Sequence, residues 1–205
     1  MKRDGCSAAE VNPTVLIGLR RLLRAVMRRC DPAEEDCRNQ AKELFAMTVS
    51  ICFCEAIELG PQHAHDLARL LSDLDPASRV SRFNCAAGDA FLLQYAQRAL
   101  MTTSWLAGIF IDHRLRGIVE VYDMSPPDTI EVAILVDQTW RGRGLGTNLL
   151  EAAVQWAARS DRILLRMIFS TDNWPMRKLA HKAHARLDLA LDQVVADIPI
   201  TRVHM

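Results

Sequence analysis

An apolar, β-branched run from Ile130 to Val136 stops at Asp137, crosses a short polar turn and enters Arg141-Gly142-Arg143-Gly144-Leu145-Gly146-Thr147. Leu149, Leu150, Ala153, Val154 and Ala157 follow at helical spacing. No other stretch constrains the fold as much, because it prescribes strand, glycine loop and helix in one order. A strand that is apolar along its whole length is one covered on both faces. The first backbone N–H groups of the following helix lack partners within it and point into the loop, where the helix dipole adds partial positive charge. Glycines at alternate positions let backbone approach a ligand without intervening Cβ atoms, and the two arginines add charge and donors. The place suits a phosphate.

Two familiar phosphate loops do not fit. The dinucleotide fingerprint needs its third glycine one residue later, and the P-loop needs a Gly-Lys-Ser/Thr ending that is absent here. The pattern that does fit is Arg/Gln-x-x-Gly-x-Gly/Ala, with Arg141, Gly144 and Gly146 in the fixed places. Upstream, Val136 falls where V-x-P-x-x-R-G is usual, with Gln138 in place of the proline. Together with the strand and helix around it, this loop resembles the GNAT superfamily of acetyl-CoA-dependent N-acetyltransferases. A second matching segment begins at Asn173. Relatives there carry N-x-x-A/M-x-x-L-Y/A-x-K/R-x-G-F/A, and Asn173, Met176, Leu179, Lys182 and Ala185 agree. A third, Asp75 to Phe83, resembles the family's L-s-x-x-S-r-x-x-R-F segment, which in relatives edges the acceptor pocket.

The resemblance implies a mixed αβ fold. Its single, mostly antiparallel sheet is splayed between strands 4 and 5 and carries helices on both faces. It implies acetyl-CoA as co-substrate, and no metal. The pyrophosphate would rest on the loop from Arg141 through Gly142, Arg143, Gly144, Leu145 and Gly146 to Thr147. The pantetheine arm would run along Ile134, Leu135 and Val136 like an added strand, with Asn173 as a side-chain contact. Asn173 serves equally well as a plain helix cap.

In this family the amine attacks the thioester directly, so a base and an oxyanion donor are needed but no nucleophilic residue. Glu131, on the cofactor strand, is the candidate base, and a half-buried carboxylate there would have its pKa raised toward the working range. A strand-entry glutamate in solvent, or one paired with an arginine, explains Glu131 equally well. Glu120 is the second candidate. A strand N–H can serve the oxyanion. Two departures from the family matter. Ala180 stands where many members have the tyrosine that protonates the leaving thiolate, and His184 stands where a glycine is usual. The proton would then come from solvent, from the product ammonium, or from His181 or Ser170. Trp140 is expected to pack beneath the loop, and Trp174 to cover the pantetheine or adenine.

Composition agrees with a core-forming chain. Of 205 residues half are hydrophobic and 24% charged, with a formal net charge of zero, so no overall charge points to nucleic acid. Neutrality also leaves a homo-oligomer open. The six cysteines have no C-x-x-C spacing and read as small buried hydrophobes in a reducing compartment. No apolar stretch is long enough to span a membrane, and a cytoplasmic protein is expected.

In chain order, residues 1–47 read as a helical extension outside the resemblance. A basic amphipathic helix covers Val15 to Met27 and a second covers Pro32 to Phe45. The GNAT domain then takes residues 48–205. Within it the spacing predicts a strand from Val49 to Glu55, a helix from Gln62 to Leu74 and another from Gly88-Asp89 to Ala99. Tyr95, on that last helix, either joins the core or lines the acceptor side. A hairpin of Ser104–Ile111 with Leu115–Tyr122 follows, turning at Asp112-His113-Arg114. After the glycine loop and its helix to Arg159 come a strand Ile163–Phe169, a helix capped by Ser170 to Asn173, and strands Leu187–Leu191 and Val194–Ile198. His63 and His65 are surface residues on this reading. The acceptor is a primary amine, a protein lysine ahead of a small molecule, because the C-terminal two-thirds resemble GNAT domains of bacterial protein-lysine acetylases. The alternative is a catalytically weak or inactive acyl-CoA-binding regulator.

Overall fold

The structure, a computed structural model, describes residues 55–201 except 84 and 86. The two N-terminal helices, almost all of the Val49–Glu55 strand, the 47/48 boundary and every cysteine but Cys85 lie outside the described residues.

Seven strands form one sheet in the order β1-β2-β3-β4-β5-β7-β6. They are β1 (Ile57–Glu58), β2 (Trp105–Ile111), β3 (Arg114–Asp123), β4 (Thr129–Val136), β5 (Leu164–Ser170), β6 (Arg186–Ala190) and β7 (Gln193–Pro199). The helices are α1 (Ala64–Ser72), α2 (Pro76–Phe83), α3 (Asp89–Thr102), α4 (Leu145–Arg159) and α5 (Trp174–Lys182). All neighbours pair antiparallel except β4 and β5. That parallel pair holds for three residues only, Thr129↔Leu164, Ile130↔Leu165 and Glu131↔Arg166. Beyond Glu131 the two strands part, as the resemblance implies.

Each helix buries the stripe its sequence offers. In α1 that stripe is Leu67, Leu70 and Leu71, and in α3 it is Leu92, Ala96 and Ala99. These pack with Leu106, Ile118 and Leu135 of the sheet into one cluster. Each fully buried leucine there contributes roughly 1.5–3 kcal/mol. On the other face α4 buries Leu145, Leu149, Leu150, Ala153 and Ala157. It approaches close enough that a Cβ on Gly117 would lie 3.0 Å from Leu149 Cδ1. At its far end Trp156 stacks on Trp105 with centroids 5.6 Å apart. The β2–β3 hairpin turns on Asp112 and His113, both at positive φ (51° and 59°), the geometry of a two-residue primed turn. Arg114 is the first residue of β3 rather than part of that turn.

The Ile130–Val136 run was expected to be covered on both faces. Instead Glu131, Ala133, Ile134 and Val136 are only half-buried. The parting of β5 from β4 removes the cover that periodicity alone assumes. At the end of α5 the departure at His184 has a clear local form. Ala185 N donates to Ala180 O (3.0 Å) and His184 N to His181 O (3.1 Å), which closes the helix with His184 in the left-handed region at φ 53°. Glycine, which the resemblance leads one to expect here, takes this conformation freely, whereas a side chain with Cβ pays about 1–2 kcal/mol to be there. His184→Gly is therefore expected to stabilise the fold by about 0.5–1 kcal/mol after the added freedom of the unfolded chain is counted. Thermal unfolding would rise by roughly 2–3 °C; an unchanged or lower midpoint would contradict it.

Candidate active site

Between β4 and α4 the chain is pinned by one buried aspartate. Asp137 Oδ1 accepts from Thr139 N (2.9 Å) and Thr139 Oγ1 (2.8 Å), and Oδ2 accepts from Arg116 Nη1 (2.7 Å). Burial would raise its pKa, but the bonds from Arg116 and Thr139 outweigh that and hold the carboxyl below the usual range. Two guanidiniums lie over the Trp140 ring, Arg116 at 5.4 Å and Arg143 at 4.8 Å from the centroid. The loop that follows thus starts from a fixed point.

Gly142 (φ 75°) and Gly144 (φ 99°) both take conformations that L side chains resist, and an added Cβ at either would meet no protein atom within 4 Å. Gly144 is the N-cap of α4, whose first bonds run from Thr147 N (2.9 Å) and Asn148 N (3.1 Å) to Gly144 O. Thr147 N–H is therefore already engaged. Leu145 and Gly146, the first two helical residues, have no carbonyl one turn back within the helix, so their N–H groups face the loop. Leu145 meanwhile buries its side chain beneath them. Arg141 braces the loop from outside, with Nε donating to Val136 O (3.3 Å) and Nη2 to Ser78 Oγ (3.2 Å). An open, left-handed glycine turn at a helix N-terminus fits a pyrophosphate.

The open strand edge can be located from one bond. Asp137 N–H donates to Arg116 O (2.8 Å), on the β3 side of β4. Backbone groups alternate along a strand, so Glu131, Ala133 and Leu135 also turn theirs to β3 while Ile130, Val132, Ile134 and Val136 turn theirs to β5. Since β5 has parted there, Ile134 and the N–H of Val136, whose carbonyl accepts from Arg141, form the edge on which an extended chain can pair. Leu135 does not belong to it: its backbone faces β3 and its side chain joins the α1–α3 core.

Glu131, Glu120 and Tyr122 share the sheet face opposite α4, because Tyr122↔Glu131 and Glu120↔Ala133 are cross-strand pairs. Glu120 is completely buried. Arg82 of α2 makes an ion pair with its Oε2, and Tyr95 Oη donates to its Oε1 (3.0 Å). A carboxylate that is fully buried, with Arg82 at one oxygen and Tyr95 at the other, anchors the structure and offers no exposed face to a substrate, so Glu131 is the better placed of the two candidates. Glu131 is only half-buried, between Tyr122 on β3 and Arg166 on β5. Arg166 is itself clamped by Asp197, Nε to Oδ1 at 2.7 Å and Nη2 to Oδ2 at 2.8 Å. Tyr95 is half-buried: its ring packs on Phe83 (5.0 Å), as the core reading expects, and its hydroxyl meets Glu120 and Tyr122.

The α2 helix that carries Arg82 is fixed by its own residues. Asp75 caps it through Ser78 N (2.9 Å), and the hydrogen bond from the Ser78 hydroxyl is the main cause holding Asp75 below its ordinary pKa. Arg79 donates to Leu74 O (3.1 Å) and Ala87 O (3.2 Å). The S-R-x-x-R-F segment is thus a brace for the sheet face opposite α4. Sequence reasoning missed the Arg82–Glu120 pair, although an acid inside the apolar run Gly117 to Val121 signals that a buried partner exists.

Asn173 caps α5, its Oδ1 accepting from Met176 N at 3.2 Å. Ala180 is fully buried, so the position of the usual tyrosine belongs to the core. His181 is exposed, and Ser170 Oγ donates to Asp172 Oδ1 (2.5 Å). Trp174 is 62% exposed, beneath the Arg177 guanidinium at 5.3 Å. His63 Nδ1 accepts from Gly60 N (3.0 Å), a structural duty. Among the described residues no three His, Cys, Asp or Glu side chains converge as metal ligands, and no helix is long and apolar enough to cross a membrane.

Comparison with known proteins gives concordant results. The model of the acetyltransferase (GNAT) family matches residues 67–185, more than half of the chain. No curated protein matches in sequence. Among solved structures, the GNAT domain of PAT from S. lividans aligns with a TM-score of 0.64 at 18% identity, over 70% of this chain and 89% of that one. An N-acetyltransferase from Staphylococcus aureus Mu50 aligns at 0.61 and 14% identity, over 72% and 99%. The PaiA N-acetyltransferase of Thermoplasma acidophilum, solved with coenzyme A, aligns at 0.56 and 12% identity, over 71% and 98%. Likenesses at this identity speak for the fold.

Proposed function

Because the chain belongs to the acetyltransferase (GNAT) family and is thereby an acyltransferase, we propose that it moves the acetyl group of acetyl-CoA to a primary amine, a protein lysine ahead of a small molecule. The observation that carries this reading is the position of Glu131. It stands where β4 leaves β5, on the face opposite α4, with the glycine turn and the Ile134–Val136 edge beyond it. On this reading the backbone N–H groups of Gly142 to Gly146 hold the pyrophosphate, Arg141 and Arg143 add positive charge, and the β4 edge aligns the pantetheine. Acetyl-CoA supplies the activated thioester. Glu131 takes a proton from the ammonium, the nitrogen forms a bond to the carbonyl carbon, and the carbon–sulfur bond breaks. A strand N–H on the open edge lowers the energy of the oxyanion. With Ala180 buried, the departing thiolate takes its proton from solvent or from the product ammonium, which its moderate basicity permits. The preference for lysine rests on the sequence resemblance to protein-lysine acetylase domains. We place the activity in the cytoplasm, where six cysteines without a pairing pattern stay reduced.

The buried Ala180 also favours a second reading, a binding protein that holds acyl-CoA and turns it over poorly. One assay separates them. Purified full-length protein with acetyl-CoA and a panel of primary amines, including Nα-acetyl-lysine amide, is expected to release free CoA thiol in an amine-dependent manner, at about 1 s⁻¹ or faster on a good acceptor. Tight CoA binding without amine-dependent release would overturn the enzymatic reading.

A further inference from the structure

The hydroxyl protons beside Glu131 can be assigned by elimination. Tyr95 Oη lies 3.0 Å from Glu120 Oε1 and 3.0 Å from Arg82 Nη2. The ion-paired carboxylate only accepts and the guanidinium only donates, so the single proton of Tyr95 is spent on Glu120. The third contact of Tyr95 is with Tyr122 Oη at 3.3 Å. Having no proton left to give, Tyr95 receives there, and Tyr122 is the donor. That orientation leaves the Tyr122 oxygen itself as an acceptor. Burial and the bond to Tyr95 raise the Tyr122 pKa above the ordinary tyrosine range, so the phenol keeps its proton.

The cross-strand neighbour of Tyr122 is Glu131, and both are half-buried on the same face. Two groups that accept, one neutral and one anionic, therefore stand side by side where the acceptor would arrive. An alcohol or thiol brings one proton and satisfies one of them. A primary ammonium brings three N–H donors and satisfies both, keeping one to spare. Arg82, Glu120 and Tyr95 act together as a device that points the one mobile phenol proton away from the substrate.

We propose that Tyr122 Oη accepts a hydrogen bond from the acceptor nitrogen and, with Glu131, selects a primary amine and orients it toward the thioester. This rests on the acetyltransferase reading above. Tyr122 is then a substrate-orienting residue, and Tyr95 positions it.

The test is Tyr122→Phe in the full chain, assayed by thiol release from acetyl-CoA with Nα-acetyl-lysine amide. The expected result is an amine KM raised about 5–20-fold, the loss of one hydrogen bond, with the KM for acetyl-CoA and the thermal midpoint unchanged. A normal amine KM in Tyr122→Phe, with turnover retained, would overturn this proposal and leave the acetyltransferase reading standing. Amine-independent behaviour of the wild type would overturn both. If Tyr122→Phe does not fold, Tyr95→Phe reads the same assignment. It frees the Tyr122 proton to donate to Glu131, so the pair no longer calls for two donors from the amine, and the amine KM is expected to rise while the KM for acetyl-CoA stays unchanged. An unchanged amine KM would overturn the arrangement.

Discussion

Glu131→Gln is expected to lower kcat for amine acetylation by about 10²–10⁴-fold, the range a positioned general base supplies, while CoA affinity stays within about twofold. The separation follows from the geometry. Glu131 points to the face opposite α4, whereas the turn that suits the pyrophosphate begins α4 itself. Glutamine keeps the side chain's size, so the strand pairs with Tyr122 and Arg166 remain available to it. Arg166 is not stranded by the change, because Asp197 already holds its guanidinium by two bonds. Steady-state rates for variant and wild type, compared at one pH with saturating acetyl-CoA, would show the loss. An unaltered kcat would remove Glu131 from the mechanism and move attention to solvent as the base.

Gly144→Asp is expected to weaken CoA binding by at least about 100-fold, roughly 2.7 kcal/mol. Two effects add. At φ 99° any side chain costs about 1–2 kcal/mol of backbone strain, which the turn relieves by changing shape. The carboxylate would then project into the space that the helix N-terminus makes favourable for an anion, and repel it. Gly144→Ala separates the two: it carries the strain without the charge and should lose only part of the affinity. Calorimetric titration with CoA checks both variants. Retained binding in Gly144→Asp would mean that the phosphates lie elsewhere and that the loop serves only to turn the chain.

The sequence showed the backbone half of this site well and the side-chain half poorly, for physical reasons. Glycine turns, helix starts and apolar strands are local, so Arg141 to Thr147 and the strand before it could be read from neighbours in the chain. The polar network beside Glu131 joins α2, α3 and β3, and no local pattern links Arg82 to a carboxylate on Glu120 or ties Tyr95 to Tyr122. Glu120 was a second candidate base because its charge was visible and its partner was not. Periodicity also overstated the burial of β4, since it carries no information about where a neighbouring strand departs. Leu135 was grouped with Ile134 and Val136 for the same reason. Only the register, which fixes the direction of each backbone group, separates them. His184, by contrast, stands at a left-handed helix end, a conformation that suits the glycine the resemblance leads one to expect there.

The three-residue seam between β4 and β5 has a mechanical consequence. Strands β1 to β4 form one leaf and β5 to β7 another, and within the sheet the leaves are stitched at one end alone, like the covers of a half-open book. On the proposed reading, co-substrate lying along Ile134 and Val136 would act as the missing page edge, supplying backbone partners in the opened stretch and tying the leaves together. Occupancy would then strengthen the molecule by mass action, in proportion to the logarithm of co-substrate concentration over its dissociation constant. On that reading the tightness of the fold would become a gauge of how much acyl donor is at hand.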